Sequence, residues 1–211
     1  MRTEDLVRAL AEDSASRPEP MARRFVTLAI IGALAAAGVF ASTLAVRPDF
    51  HAVMATPPVA FKFLLTLTLV GAAGALAFRR MRPEDGSHLK SVVFPVLSVL
   101  ILGVAVELIS SPVADWPRLL IGSNALACVT LVPLLSLLPL SLILTALRYG
   151  APTHPQETGA VAGLFAGGIG AALYAFHCPD DSPLFVAAWY GLSVGIVATL
   201  GAMLGARWLR W

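Results

Sequence analysis

Two cysteines, Cys128 and Cys178, are the residues of this 211-residue chain best suited to chemistry, and softer donors accompany them. Cys178 sits in the run His177-Cys178-Pro179-Asp180-Asp181-Ser182-Pro183, and His51 and Met54 stand in an earlier short polar stretch. Three readings are open. The thiols close a structural disulfide, which requires Cα atoms within about 7 Å. They form a pair that senses oxidants or a transient soft-metal ion, since thiolate, imidazole and thioether suit copper or zinc-group cations. Or they are unrelated, one being a small apolar residue in a helix. There is no CxxC and no Cys/His spacing of a structural zinc site, so spacing does not choose among them, and no obligatory cofactor is implied.

Lys62 and Glu107 are the other candidates, because each falls within an apolar run, where an ionisable group is costly and suggests function. They could pair with each other, snorkel to the interface, or mark a proton or ion path. No phosphate-binding loop, HExxH or Ser/His/Asp arrangement is present, so nothing argues for an enzyme.

These residues have to be positioned by helices in lipid. With 57% hydrophobic and 13% charged residues, the chain cannot present a water-facing surface. A span needs roughly 20 apolar residues. Six segments qualify: 25–46, 59–78, 91–110, 119–147, 159–176 and 185–204. The predicted fold is an all-α bundle of six transmembrane helices over residues 21–211, preceded by a tail over 1–20. Backbone groups in lipid must be satisfied within each segment, which rules out open strands.

Orientation follows from the cations. Arg2, Arg8, Arg17, Arg23, Arg24, Arg79, Arg80, Arg82, Lys90, Arg148, Arg207 and Arg210 fall on one side, against Arg47, Lys62 and Arg118 on the other. The positive-inside rule then puts both termini in the cytoplasm and both cysteines on or near the outer face of a cytoplasmic-type membrane. Cys128 is expected a little more than two turns into the fourth helix. Net charge of +2 is too small to suggest direct nucleic-acid binding.

Glycines at four-residue spacing let helix backbones approach closely: Gly159, Gly163 and Gly167 in the fifth span, Gly191 with Gly195 and Gly201 with Gly205 in the sixth. Packing within one chain is preferred to a homodimer seam. Pro133 and Pro139 lie inside the fourth span, where a bend is expected.

The tail carries its own signal. Thr3 suits an N-cap, Glu4 and Asp5 suit a helix start, and Leu6, Val7 and Leu10 share one apolar face before Pro18 and Pro20 stop the helix. About ten residues make a marginal helix alone in water, so that face needs a partner. Its acids disfavour anionic lipid, and a cytoplasmic protein groove fits better.

The tail Met1 to Asp13, Arg47-Pro48-Asp49, the run Pro133 to Pro139, and above all His177 to Tyr190 resemble the NrsF-type negative regulators of sigma factor F. That resemblance runs the full length. It implies a six-helix inner-membrane anti-sigma factor whose N-terminal segment holds an extracytoplasmic-function sigma factor away from RNA polymerase. It also implies that Cys128 and Cys178 take part in sensing a metal or oxidative stress from the periplasm, releasing the sigma factor. The rivals are a membrane thiol-disulfide redox protein, which would need a reactive pair and a quinone site, and a small metal or drug transporter, which would need polar positions at the midplane.

Overall fold

Lipid offers no hydrogen bonds to a backbone, so each apolar run has to close its own ladder, and this chain does so with helices. The computed structural model describes residues 3–4, 21–81, 89–150 and 152–210, and all regular structure among them is helical. The helices are α1 Met21–Thr43, α2 Phe50–Val53, α3 Pro57–Arg79, α4 Lys90–Ser110, α5 Trp116–Ile121, α6 Ala125–Arg148, α7 Pro155–Ala175 and α8 Pro183–Trp208. A 3₁₀ turn, Val113–Asp115, precedes α5, and Val186–Tyr190 within α8 is π-helical. Six of them, α1, α3, α4, α6, α7 and α8, are long and apolar enough to cross a membrane.

The bundle is organised around α7, which packs against α8, α3 and α6. Its glycines are the reason. A Cβ on Gly159 would overlap the backbone of Gly201 and Gly205, and one on Gly163 would overlap Val197 and Ala198. The backbones touch because no side chain keeps them apart. Gly191 and Gly195 do not belong to this seam, since a Cβ on either would meet nothing within 4 Å. The stripe expected along the sixth span therefore serves the α7 contact only in its second half.

Helix α1 lies on α6, where Gly32 meets the backbone of Pro139. Pro133 and Pro139 are both accommodated inside the continuous helix α6. In contrast, α4 is peripheral. It packs on α3 and on the first turn of α8, and most of its residues face outward.

The expected fourth span over 119–147 is broken. Leu119 to Ile121 belong to α5, and the chain turns at Gly122, whose φ of 60° is in the left-handed region that glycine tolerates. A Cβ there would also overlap the Phe185 ring. Cys128 is thus in the first turn of α6, not two turns deep. The first span begins earlier than expected, at Met21, so that Arg23 and Arg24 are helical. In the tail, Thr3 and Glu4 are helical and exposed. Asp5, Leu6, Val7 and Leu10 lie outside the described residues.

Candidate functional site

The loop from His177 to Ser182 is built by two helix ends. The last turn of α7 closes when the His177 and Cys178 N–H groups donate to the Tyr174 carbonyl, at 2.9 and 3.0 Å. Pro179 has no N–H to continue the ladder. Helix α8 then starts at Pro183, with the Ser182 hydroxyl accepting from the Phe185 N–H at 3.4 Å.

Each connection at this end of the bundle is tied to that loop. Arg47, beyond α1, donates its N–H to the Phe176 carbonyl at 3.0 Å, and its guanidinium reaches Asp181 at 2.6 Å and the Cys178 carbonyl at 3.4 Å. The same guanidinium holds Asp49 through two hydrogen bonds of 2.7 and 2.8 Å. These bonds push the Asp49 carboxyl below its ordinary pKa and raise that of Arg47. From α3, Lys62 donates to the Cys178 carbonyl at 3.0 Å, and its Nζ lies 2.6 Å from Asp181 Oδ1, in ionic contact without a hydrogen bond's alignment. From α4, Glu107 accepts from the Ser182 hydroxyl at 2.8 Å and the Leu184 N–H at 2.7 Å.

Asp180 completes the set. Its Oδ2 accepts from the backbone N–H of Ser123 at 3.0 Å and of Asn124 at 2.8 Å. Asn124 is the N-cap of α6 and makes no side-chain cap of its own, so a residue 56 positions away caps that helix. Trp189 adds a link from α8 to α5, its indole N–H donating to the Leu120 carbonyl at 2.8 Å.

Both cysteines are free thiols and both are fully buried. Cys178 Sγ is 3.8 Å from the Asp180 carbonyl oxygen, to which it donates. Burial pushes its pKa above the ordinary thiol value, opposed by the Lys62 ammonium. Cys128 Sγ is 3.8 Å from Ser193 Oγ, and the single Ser193 O–H is shared between the Trp189 carbonyl at 2.6 Å and the Cys128 carbonyl at 3.2 Å. Ser193 therefore joins the first turn of α6 to the π-helical stretch of α8. Tyr174 and Tyr190, with ring centroids 6.0 Å apart, have buried hydroxyls without a hydrogen-bond partner among the described residues.

The other sequence candidates are placed differently. His177 Nδ1 is 2.7 Å from the Ala45 carbonyl, which only accepts, so Nδ1 carries the proton and donates. His51 and Met54 are exposed, on and just after α2. Among the described residues, no three His, Cys, Asp or Glu side chains gather as a metal-binding group. Lys62 and Glu107 do not pair with each other. Lys62 is fully buried on Asp181 and does not snorkel, while Glu107 holds the start of α8. The residues that organise the site, Arg47, Asp180 and Asp181, were not singled out from sequence. The available signal was an acidic pair in a segment whose opposing loops carry isolated cations.

A family model described as negative regulator of sigma F matches residues 10–211. The chain is 36% identical to the anti-sigma-F factor NrsF of Caulobacter vibrioides, over the full length of both chains. It is 30% identical to the probable anti-sigma-F factor NrsF of Azospira oryzae, again over both full lengths. No solved structure matches. A multi-pass helical chain, matched from residue 10 to its last residue, belongs to the NrsF family of negative regulators of sigma F.

Proposed function

We propose that this protein is an anti-sigma factor of the bacterial inner membrane, with both termini cytoplasmic, that holds an extracytoplasmic-function sigma factor through its N-terminal segment. The observation that carries the reading is its full-length similarity to anti-sigma-F factors. The apolar face of Leu6, Val7 and Leu10, with Thr3 and Asp5 at the helix start, is the binding element, in helix-in-groove fashion. Twelve of the fifteen Lys and Arg residues lie on the side of the termini, which supports the orientation.

In this reading Cys128 and Cys178, buried at the periplasmic end of the bundle, receive a metal or oxidative signal. Two chemistries suit them. A soft cation would displace the thiol protons and bind thiolate. Alternatively, an oxidant would take two electrons as the thiols lose two protons and join as a disulfide. Either event disturbs a loop that Arg47, Lys62, Glu107 and Asp180 tie to the other helices, and Ser193 carries the Cys128 end into α8. A coupling of about 1 to 3 kcal/mol between this loop and the tail would change sigma occupancy roughly 5- to 150-fold.

The test is co-purification of sigma factor with the detergent-solubilised protein. Retention should disappear when residues 1–13 are deleted. Release by metal or oxidant should disappear when Cys128 and Cys178 are both replaced by serine. Unchanged retention would refute the binding half of the proposal, and unchanged release the sensing half.

A further inference from the structure

Three carboxylates at the Cys178 end have cations, and two, Asp180 and Glu107, take donors at helix starts instead. Asp49 has Arg47, Asp181 has Arg47 and Lys62, Asp115 has Arg118, and Asp180 has the N–H groups that open α6. Glu107, near the end of α4, has no cation among the described residues. Its Oε2 takes the bonds from Ser182 and Leu184, and its Oε1 accepts from none of the described residues.

Glu107 also borders a cavity of about 520 Å³ between α3 and α4. Phe61, Leu64, Leu102 and Val106 supply its apolar wall, with Ser110 beside Glu107 at the polar end. The floor depends on Gly103, where a Cβ would overlap the Phe61 ring. Leu64, Leu102 and Val106 are each more than half exposed, so the cavity opens away from the bundle, toward the hydrocarbon in a membrane.

Glu107 keeps one oxygen free of the donors at the start of α8, and beside lipid that oxygen favours a cation. A hydrated metal ion would have to leave water to reach an apolar cavity, and an anionic headgroup would be repelled. A primary ammonium at the head of an acyl chain meets both requirements. It brings a positive charge with N–H donors for the carboxylate and hydrocarbon for the wall. The volume is in the range of small-molecule sites. We propose that the α3–α4 cavity binds an aminophospholipid, its ammonium on Glu107 and an acyl chain along Phe61, Leu64, Leu102 and Val106. Because Glu107 also holds Ser182 and Leu184, the lipid sits one hydrogen bond from the loop that carries Cys178. This site is independent of how the tail binds its partner.

Native mass spectrometry of the full-length protein tests it, with equimolar phosphatidylethanolamine, phosphatidylcholine and phosphatidylglycerol added in detergent. Retained phosphatidylethanolamine should exceed each of the others by about fivefold, because choline has the charge but no N–H to donate to the carboxylate and glycerol has no cation. Glu107→Gln keeps an oxygen for Ser182 and Leu184 and should bring phosphatidylethanolamine to parity with phosphatidylcholine. Leu64→Trp, at a position more than half exposed, should reduce adducts of all three lipids. Equal retention in the parent protein, or a preference that survives Glu107→Gln, would overturn the proposal. So would a dimer peak in place of lipid adducts, which would assign the cavity to a second copy of the chain.

Discussion

Lys62, fully buried on α3, lies 2.6 Å from Asp181 Oδ1 and donates to the carbonyl of Cys178 at 3.0 Å. One ammonium thus holds both the thiol residue's backbone and the acid three positions on, with Arg47 reaching the same two residues from beyond α1. Replacing Lys62 with Met should cost about 3 kcal/mol, the lower end for breaking a buried pair, because Arg47 still accompanies Asp181. Thermal unfolding in detergent measures it. The double variant with Asp181→Asn should lose less than the two single losses added together.

Asp180 should behave as a remote helix cap. Asp180→Ala leaves the Ser123 and Asn124 N–H groups without their acceptor and should cost about 1 to 2 kcal/mol. Amide hydrogen exchange at Ser123 and Asn124 should accelerate, while exchange in the middle of α7 stays unchanged.

The thiol of Cys178 should react slowly at neutral pH. Burial raises its folded pKa, so the neutral thiol persists where a free cysteine already ionises. Iodoacetamide labelling near pH 8 should be slower than for a cysteine in a short peptide, and should speed up in Asp181→Asn, where the loop loosens. Linkage has the matching sign. This thiol's contribution is fully present below the unfolded pKa and is lost as pH rises through the folded one.

Glycines of the α7–α8 seam should separate into two classes. Gly163→Leu forces overlap with Val197 and Ala198 and should destabilise by about 2 kcal/mol or more. Gly195→Ala meets nothing within 4 Å and should be neutral or stabilise by about 0.5 kcal/mol through helix propensity. Melting temperatures of the two variants, measured side by side, check the division.

Hydropathy made the six spans legible, because lipid demands a long apolar run wherever the chain crosses. It could not see the break at Gly122, since Leu119, Leu120 and Ile121 are as apolar as a span and only the backbone dihedral reveals the turn. The glycine seam was readable for Gly159 and Gly201, whose contact is between adjacent helices, but Gly191 shares the spacing without the contact. The site was less legible. Lys62 and Glu107 were visible as membrane charges at the same end, yet each has its partners in the loop or the first turn of α8, 75 to 119 residues away in sequence, which no spacing rule reports. Asp180 and Asp181 look alike in sequence, and only geometry makes one a helix cap and the other an ionic hub.

The measurement closest to the central claim is a pull-down of sigma factor by full-length protein, by protein lacking residues 1–13, and by the Leu6→Ala, Val7→Ala, Leu10→Ala triple variant, all with equal membrane insertion. Sigma factor should be captured by the full chain and lost from the other two. Equal capture by all three would contradict a tail that holds the sigma factor and would move its binding surface elsewhere on the protein.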